Sequence, residues 1–218
     1  NFCMLLRKHI GNGRITSISQ PKLERIISLH IEHLNELGDL CEKKLIIEIM
    51  GKHSNIIFCD DKDMILDSIK HVSAQMSSVR EVLPGRTYFI PDTMEKSDPL
   101  SVDVSSFMEI LRLKPVPLGK AIYTSFTGIS PVIAEDICFL AGLNSQLPAS
   151  VLDEDTFLHL FRQFSYYMDD IRCCRFHPCI YYDGTSPKDF GAVALSHFSN
   201  YTKQERSEER RVGKECRS

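Results

Sequence analysis

The residues from Lys43 to Asp60, KKLIIEIMGKHSNIIFCD, leave this chain the least freedom. Two β-rich runs, 45–50 and 55–59, flank Gly51-Lys52-His53-Ser54. β-branched residues suit a pleated surface and glycine opens a tight turn, so the stretch is expected to be a hairpin. A hairpin gathers its polar residues at one tip: here a cation (Lys52), an imidazole (His53) and a hydroxyl (Ser54), beside Asn55. Such a tip also solvates an ordinary turn, so the rest of the chain has to decide between the two readings.

The period of two extends on both sides. Candidate strands at 14–20, 25–32, 43–50, 55–59 and 65–72, with turn-like links at 21–22, 35–39 and 60–63, predict an antiparallel meander. Ahead of it, residues 2–10 carry a helical pattern that ends at Gly11 or Gly13, with Lys8 and His9 in the last turn, where the helix dipole favours cations. Pro84, Gly85, Pro91 and Pro99 exclude a long helix or a central strand from 73–100 and mark a domain boundary. Beyond it the period turns helical at 102–113, 118–126, 131–143 and 153–174, with Asp153 as an N-cap, and strands at 179–182 and 189–195 follow. The expected fold class is α+β: an antiparallel meander over 1–100, then, over 101–205, a helical module with a helix–hairpin–helix-like motif and a closing strand pair. Residues 206–218, dense in charge of both signs and without period, are read as a non-native read-through tail.

A net charge of −3 and a pI near 6.3 argue against a protein that coats nucleic acid through bulk charge. Any such contact has to be a patch, and Arg7, Lys8, Arg14, Lys22 and Arg25 face a single acid, Glu24, within the first 25 residues. The 8 cysteines show no regular spacing, and no secretory signal or membrane-length apolar run is visible, so reduced thiols, a cytoplasmic location and no membrane partner are the expectation. Cys173, Cys174, His177 and Cys179 lack zinc-knuckle spacing, so no metal is assigned. Without GxSxG, HExxH, a Walker loop or GxGxxG there is no visible catalytic set, and no cofactor is expected.

Two further stretches have the chemistry to meet nucleic acid. Between two predicted helices, Gly128, Ile129 and Ser130, followed by Pro131 and Ala134, approximate a helix–hairpin–helix connector, whose backbone N–H groups can meet a phosphate. Ser130-Pro131 stands where that motif has its second glycine, and the same residues also suit a plain packed connector. Glu24-Arg25, read at the start of a strand, would offer a guanidinium fork braced by a carboxylate on the opposite face.

Taken in order, Phe2-Cys-Met-Leu-Leu-Arg-Lys-His9, Glu24-Arg25, Glu48-Ile-Met-Gly-Lys-His-Ser-Asn55, Met76-Ser-Ser-Val-Arg80, Leu83-Pro-Gly85 and Phe126-Thr-Gly-Ile-Ser-Pro131 resemble the N-terminal region of the NFACT family, bacterial ribosome-quality-control factors often labelled fibronectin-binding proteins. The resemblance implies a rescue factor for stalled ribosomes that binds a large ribosomal subunit carrying peptidyl-tRNA, recruits tRNA of the alanine type and supports untemplated C-terminal alanine tailing. The ribosome itself makes the bonds. Glu24-Arg25 falls on the family's Asp-Arg pair with a carboxylate one methylene longer, and Lys52 stands where the family's turn has arginine, keeping the charge but losing the bidentate fork. The implied RNA-binding residues are Glu24, Arg25, Lys52, His53, Ser54, Asn55 and Arg80. The family's likeness to formamidopyrimidine-type DNA glycosylases raises a nucleic-acid-processing alternative, and its older label a fibronectin-binding adhesin.

Overall fold

The alternation over 14–68 builds one antiparallel sheet of five strands in sequence order: β1 (Arg14–Ser19), β2 (Ile26–Leu34), β3 (Leu40–Glu48), β4 (Asn55–Asp60) and β5 (Ile65–Ser68). Ile26, Glu48 and Asn55 align across β2, β3 and β4, and the next line holds Ser28, Ile46, Ile57 and Ser68. Side chains alternate along a strand, so these lines share one face. On it Ile26, Ile46, Ile57, Cys59 and Ile65 form a core with Val82, and the chain that follows β5 packs Val72, Tyr88 and Ile90 against them. Burial of each such aliphatic side chain contributes roughly 1.5–3 kcal/mol. The other face buries Phe58 completely, beside His9 of the helix α1 (Phe2–Ile10) at a ring separation of 6.1 Å. At the outer edge all of β1 is exposed.

This computed structural model describes residues 2–90 and 96–205. It comprises two compact units, 1–95 and 96–218. The tail read as non-native, 206–218, lies outside the described residues.

In the second unit, α2 (Val104–Arg112), α3 (Leu118–Ser125), α4 (Pro131–Leu140) and α5 (Glu154–Arg172) enclose a core centred on Phe107, Phe126 and Phe164, whose rings lie 4.8–5.4 Å apart. Asp103, Ser130 and Asp153 cap α2, α4 and α5, each side chain accepting the N–H three residues on. The closing strand pair gains a third member: β6 (Cys179–Asp183) lies between β7 (Ser186–Gly191) and β8 (Thr202–Glu205). Gly184, at φ 60°, lets β6 turn directly into β7, so the second strand begins at residue 186 rather than 189, and Leu195 leaves the sheet to fill a small core with Cys179 and Tyr181. Asp136, wholly buried on α4, ties this end of the unit together: it accepts from the Tyr167 hydroxyl and from the His197 backbone N–H at 2.7 Å, and its carboxylate lies 2.7 Å from His197 Nδ1.

Candidate nucleic-acid interface at one end of the sheet

An antiparallel order sends alternate links to opposite ends. Links 20–25 and 49–54 and the exit from β5 at 69–71 share one end; links 35–39 and 61–64 share the other. The Glu24-Arg25 turn and the Gly51–Ser54 tip, far apart in sequence, therefore meet at one end.

At the tip, Gly51 takes φ 59°, a left-handed conformation that glycine adopts freely, and Gly51–His53 forms one 3-10 turn. The Ser54 hydroxyl accepts the Met50 N–H at 2.9 Å and closes that turn. Asn55, 6% exposed, accepts the Ile56 and Lys70 N–H groups at 3.0 and 2.9 Å and donates to the Lys70 carbonyl at 2.9 Å. Ser54 and Asn55 are thus committed to holding the backbone, while Lys52 and His53 stand exposed.

Glu24 and Arg25 sit in the turn before β2 rather than at its start, so strand alternation does not set them on opposite faces. Lys22, at φ 51°, and a Glu24 N–H bond to the Pro21 carbonyl at 3.0 Å shape this turn, and the Ile49 N–H reaches the Arg25 carbonyl at 2.8 Å, joining it to the hairpin's base. Arg25 is exposed and Glu24 half-buried.

Arg80 is held inside the unit. Its guanidinium donates to both oxygens of Glu48, at 2.6 and 2.5 Å, and to the Phe89 carbonyl at 2.9 Å, with the Tyr88 ring 5.5 Å away. The Glu48 side chain is 0% exposed and that of Arg80 12%. The Tyr88 hydroxyl also donates to Glu48, at 3.0 Å, and burial, followed by the carboxylate's charge, raises its pKa. This charge-assisted cluster fastens the 76–80 segment beneath the hairpin. Sequence reading alone misses the parts played by Glu48 and Tyr88; the available signal is a lone carboxylate inside the apolar run Leu45-Ile-Ile-Glu-Ile-Met50.

The basic residues of the first 25 do not form one patch. Lys8 and Arg14 pair with Glu36 and Glu32 toward the opposite end, at 3.3 and 2.9 Å, whereas Lys22 and Arg25 lie beyond β1, six residues or roughly 20 Å away. In the second unit, Gly128 takes φ 77° and is exposed, Ile129 is buried, and Ser130 caps α4 by accepting the Ile133 N–H at 3.2 Å.

Among the described residues, Lys22, Arg25, Lys52 and Lys70 have no carboxylate within ion-pairing distance, and all four are exposed. Beside them, Ile47, Ile49, Ser54, Asn55, Ile56 and Ile69 line a shallow, mostly apolar depression of about 300 Å³. This end therefore offers unneutralised cations around an apolar floor, a chemistry suited to a phosphate backbone and to the flat faces of bases. Among the described residues, no cluster of three or more His, Cys, Asp or Glu could hold a metal, and no helix is long and apolar enough to cross a membrane. The seven described cysteines are free, and burial pushes the Cys59 and Cys138 thiols up to about 12.

Known proteins share the sequence and fold of this chain. A family model described as NFACT N-terminal and middle domains matches residues 1–211. The chain is 43% identical over 154 residues to the Rqc2 homolog RqcH of Bacillus subtilis (strain 168), covering 69% of this chain and 27% of that protein. It is 37% identical over 137 residues to the Rqc2 homolog RqcH of Streptococcus pneumoniae serotype 2 (strain D39 / NCTC 7466), covering 62% and 25%. Among solved structures, the fibrinogen binding protein from Staphylococcus aureus matches with a TM-score of 0.79 at 25% identity, over 100% of this chain and 75% of that one. The N-terminal part of the fibronectin/fibrinogen-binding protein from Streptococcus suis matches at 0.67 and 29% identity, over 90% and 64%. The chain spans about a quarter of the length of these curated relatives.

Proposed function

The chain belongs to the NFACT family, and on that premise we propose that it is part of a ribosome-quality-control factor that grips tRNA with one end of its five-stranded sheet. In this reading the whole protein engages an obstructed large ribosomal subunit with its peptidyl-tRNA and supports untemplated alanine tailing. The ribosome makes the peptide bonds and this chain positions RNA. The observation that carries the reading is the convergence of Arg25 and Lys52, exposed and without carboxylate partners, at one end of the sheet. Arg25 and Lys52 contact phosphate and His53 a neighbouring polar group, while Glu24 orients the Arg25 turn. Ser54, Asn55 and Arg80 act by fixing the backbone on which those contacts stand. Gly128, Ile129 and Ser130 supply a further phosphate contact through the backbone at the start of α4.

Arg25→Ala in the full-length protein tests this. It is expected to weaken tRNA capture and tailing while leaving the fold intact; undiminished tRNA-dependent tailing would overturn the assignment. The names of the solved neighbours motivate a second reading, binding of fibronectin or fibrinogen. Binding to immobilised fibronectin that survives Arg25→Ala and Lys52→Ala at physiological salt would favour it.

A further inference from the structure

We propose that Lys70, on the segment leaving β5, is an additional phosphate contact of this surface, set in place by Asn55. The inference rests on the RNA-binding reading above and extends it to a residue on a third link. Asn55 grips both the N–H and the carbonyl of Lys70, at 2.9 Å each, so the backbone at this position is tied directly to the base of the hairpin. The Lys70 ammonium then leans over the tip and donates to the Lys52 carbonyl at 3.2 Å. That partner is neutral, so the positive charge stands uncompensated beside Lys52. The neighbouring imidazole differs: His71 Nε2 lies 2.7 Å from the Asp67 carboxylate, a pairing that leaves Lys70 as the cation this segment can offer.

The geometry also gives Asn55 its place. A buried carboxamide with donor and acceptor both matched to one residue's backbone fixes where that backbone sits. Here the residue is Lys70, so its ammonium starts from a fixed backbone and rests against the main chain of Lys52 on a separate link of the sheet. Each cation that neutralises a phosphate releases condensed counterions, so a lysine added to this surface raises both affinity and its dependence on salt.

The test measures binding of fluorescently labelled bulk tRNA by the full chain at several salt concentrations. Removing a single phosphate contact lowers the slope of log K against log salt by about 0.7–0.9. Lys70→Met is expected to lower the slope by that amount with an unchanged melting temperature, Lys70→Arg to keep it, and Lys62→Met, in the 61–64 link, to leave it unaltered. A steep wild-type slope that Lys70→Met leaves unchanged would overturn this inference alone, as would equal falls for Lys70→Met and Lys62→Met. Absence of salt-dependent tRNA binding by the wild-type chain would overturn the RNA-binding reading and this inference with it.

Discussion

The two ends of the five-stranded sheet share the same strands and differ in what their links do with charge. At the end formed by links 35–39 and 61–64, Lys8 pairs with Glu36 at 3.3 Å and Lys44 with Asp63 at 2.9 Å. Although Lys62 forms no ion pair among the described residues, the links themselves carry four acids, Glu36, Asp39, Asp61 and Asp63, against that one lysine. At the other end, Lys22, Arg25, Lys52 and Lys70 lack such partners, and the buried groups nearby, Glu48, Arg80 and Asn55, bond among themselves and to backbone. Surface ion pairs contribute about 0–1 kcal/mol, so the paired end gains little stability from its pairing. The comparison teaches that the unpaired end keeps its polar bonds inside and its cations outside, as a phosphate-binding surface requires.

The brace beneath the unpaired end is where the two ends separate most sharply. Arg80→Ala leaves the Glu48 carboxylate buried without its partner and is expected to destabilise the first unit by about 3–5 kcal/mol, read by urea unfolding. A change below about 1 kcal/mol would show that the cluster does not hold this end. Exchanging both partners together, Glu48→Leu with Arg80→Met, should recover much of the stability and separate the desolvation penalty from the packing of the two side chains. Asn55→Ala follows in size. Removing its bonds to Lys70 and Ile56 is expected to cost about 1–3 kcal/mol, and hydrogen exchange should quicken at Lys70, with no change in the 35–39 link.

The smallest effect concerns pH. Burial pushes the Asp67 carboxyl up, but the His71 imidazole and the Ser68 N–H outweigh it and hold its pKa below the ordinary carboxylate value. A depressed folded pKa contributes stability that is present above the unfolded value and lost as pH falls through the folded one. Thermal melts of Asp67→Asn should therefore converge on those of the wild type below about pH 4 and lie beneath them at neutral pH.

Much of this is legible in the sequence for simple reasons. Short β-rich runs between turn residues give away the meander, Gly51 the hairpin, and Asp153 the start of α5, because each is a local signal. β8 is illegible, since Thr202-Lys-Gln-Glu205 is wholly exposed and carries no apolar alternation. The Glu48–Arg80 pair joins residues 32 apart, and nothing local says which carboxylate a guanidinium will find. Asn55 reads as a polar residue of the tip, and only the fold reveals that its carboxamide turns inward to Lys70. Likewise Lys8 and Arg14 look continuous with Lys22 and Arg25 until β1 runs between them.

The most direct measurement removes two charges from each end and compares tRNA affinity across salt concentrations. Arg25→Ala with Lys52→Ala is expected to lower the slope of log K against log salt by about 1.4–1.8, at about 0.7–0.9 for each of the two cations, while Lys8→Ala with Arg14→Ala leaves it at the wild-type value. Equal falls for the two double variants, or an unchanged slope for the first, would contradict the claim that this end of the sheet is the one that meets RNA.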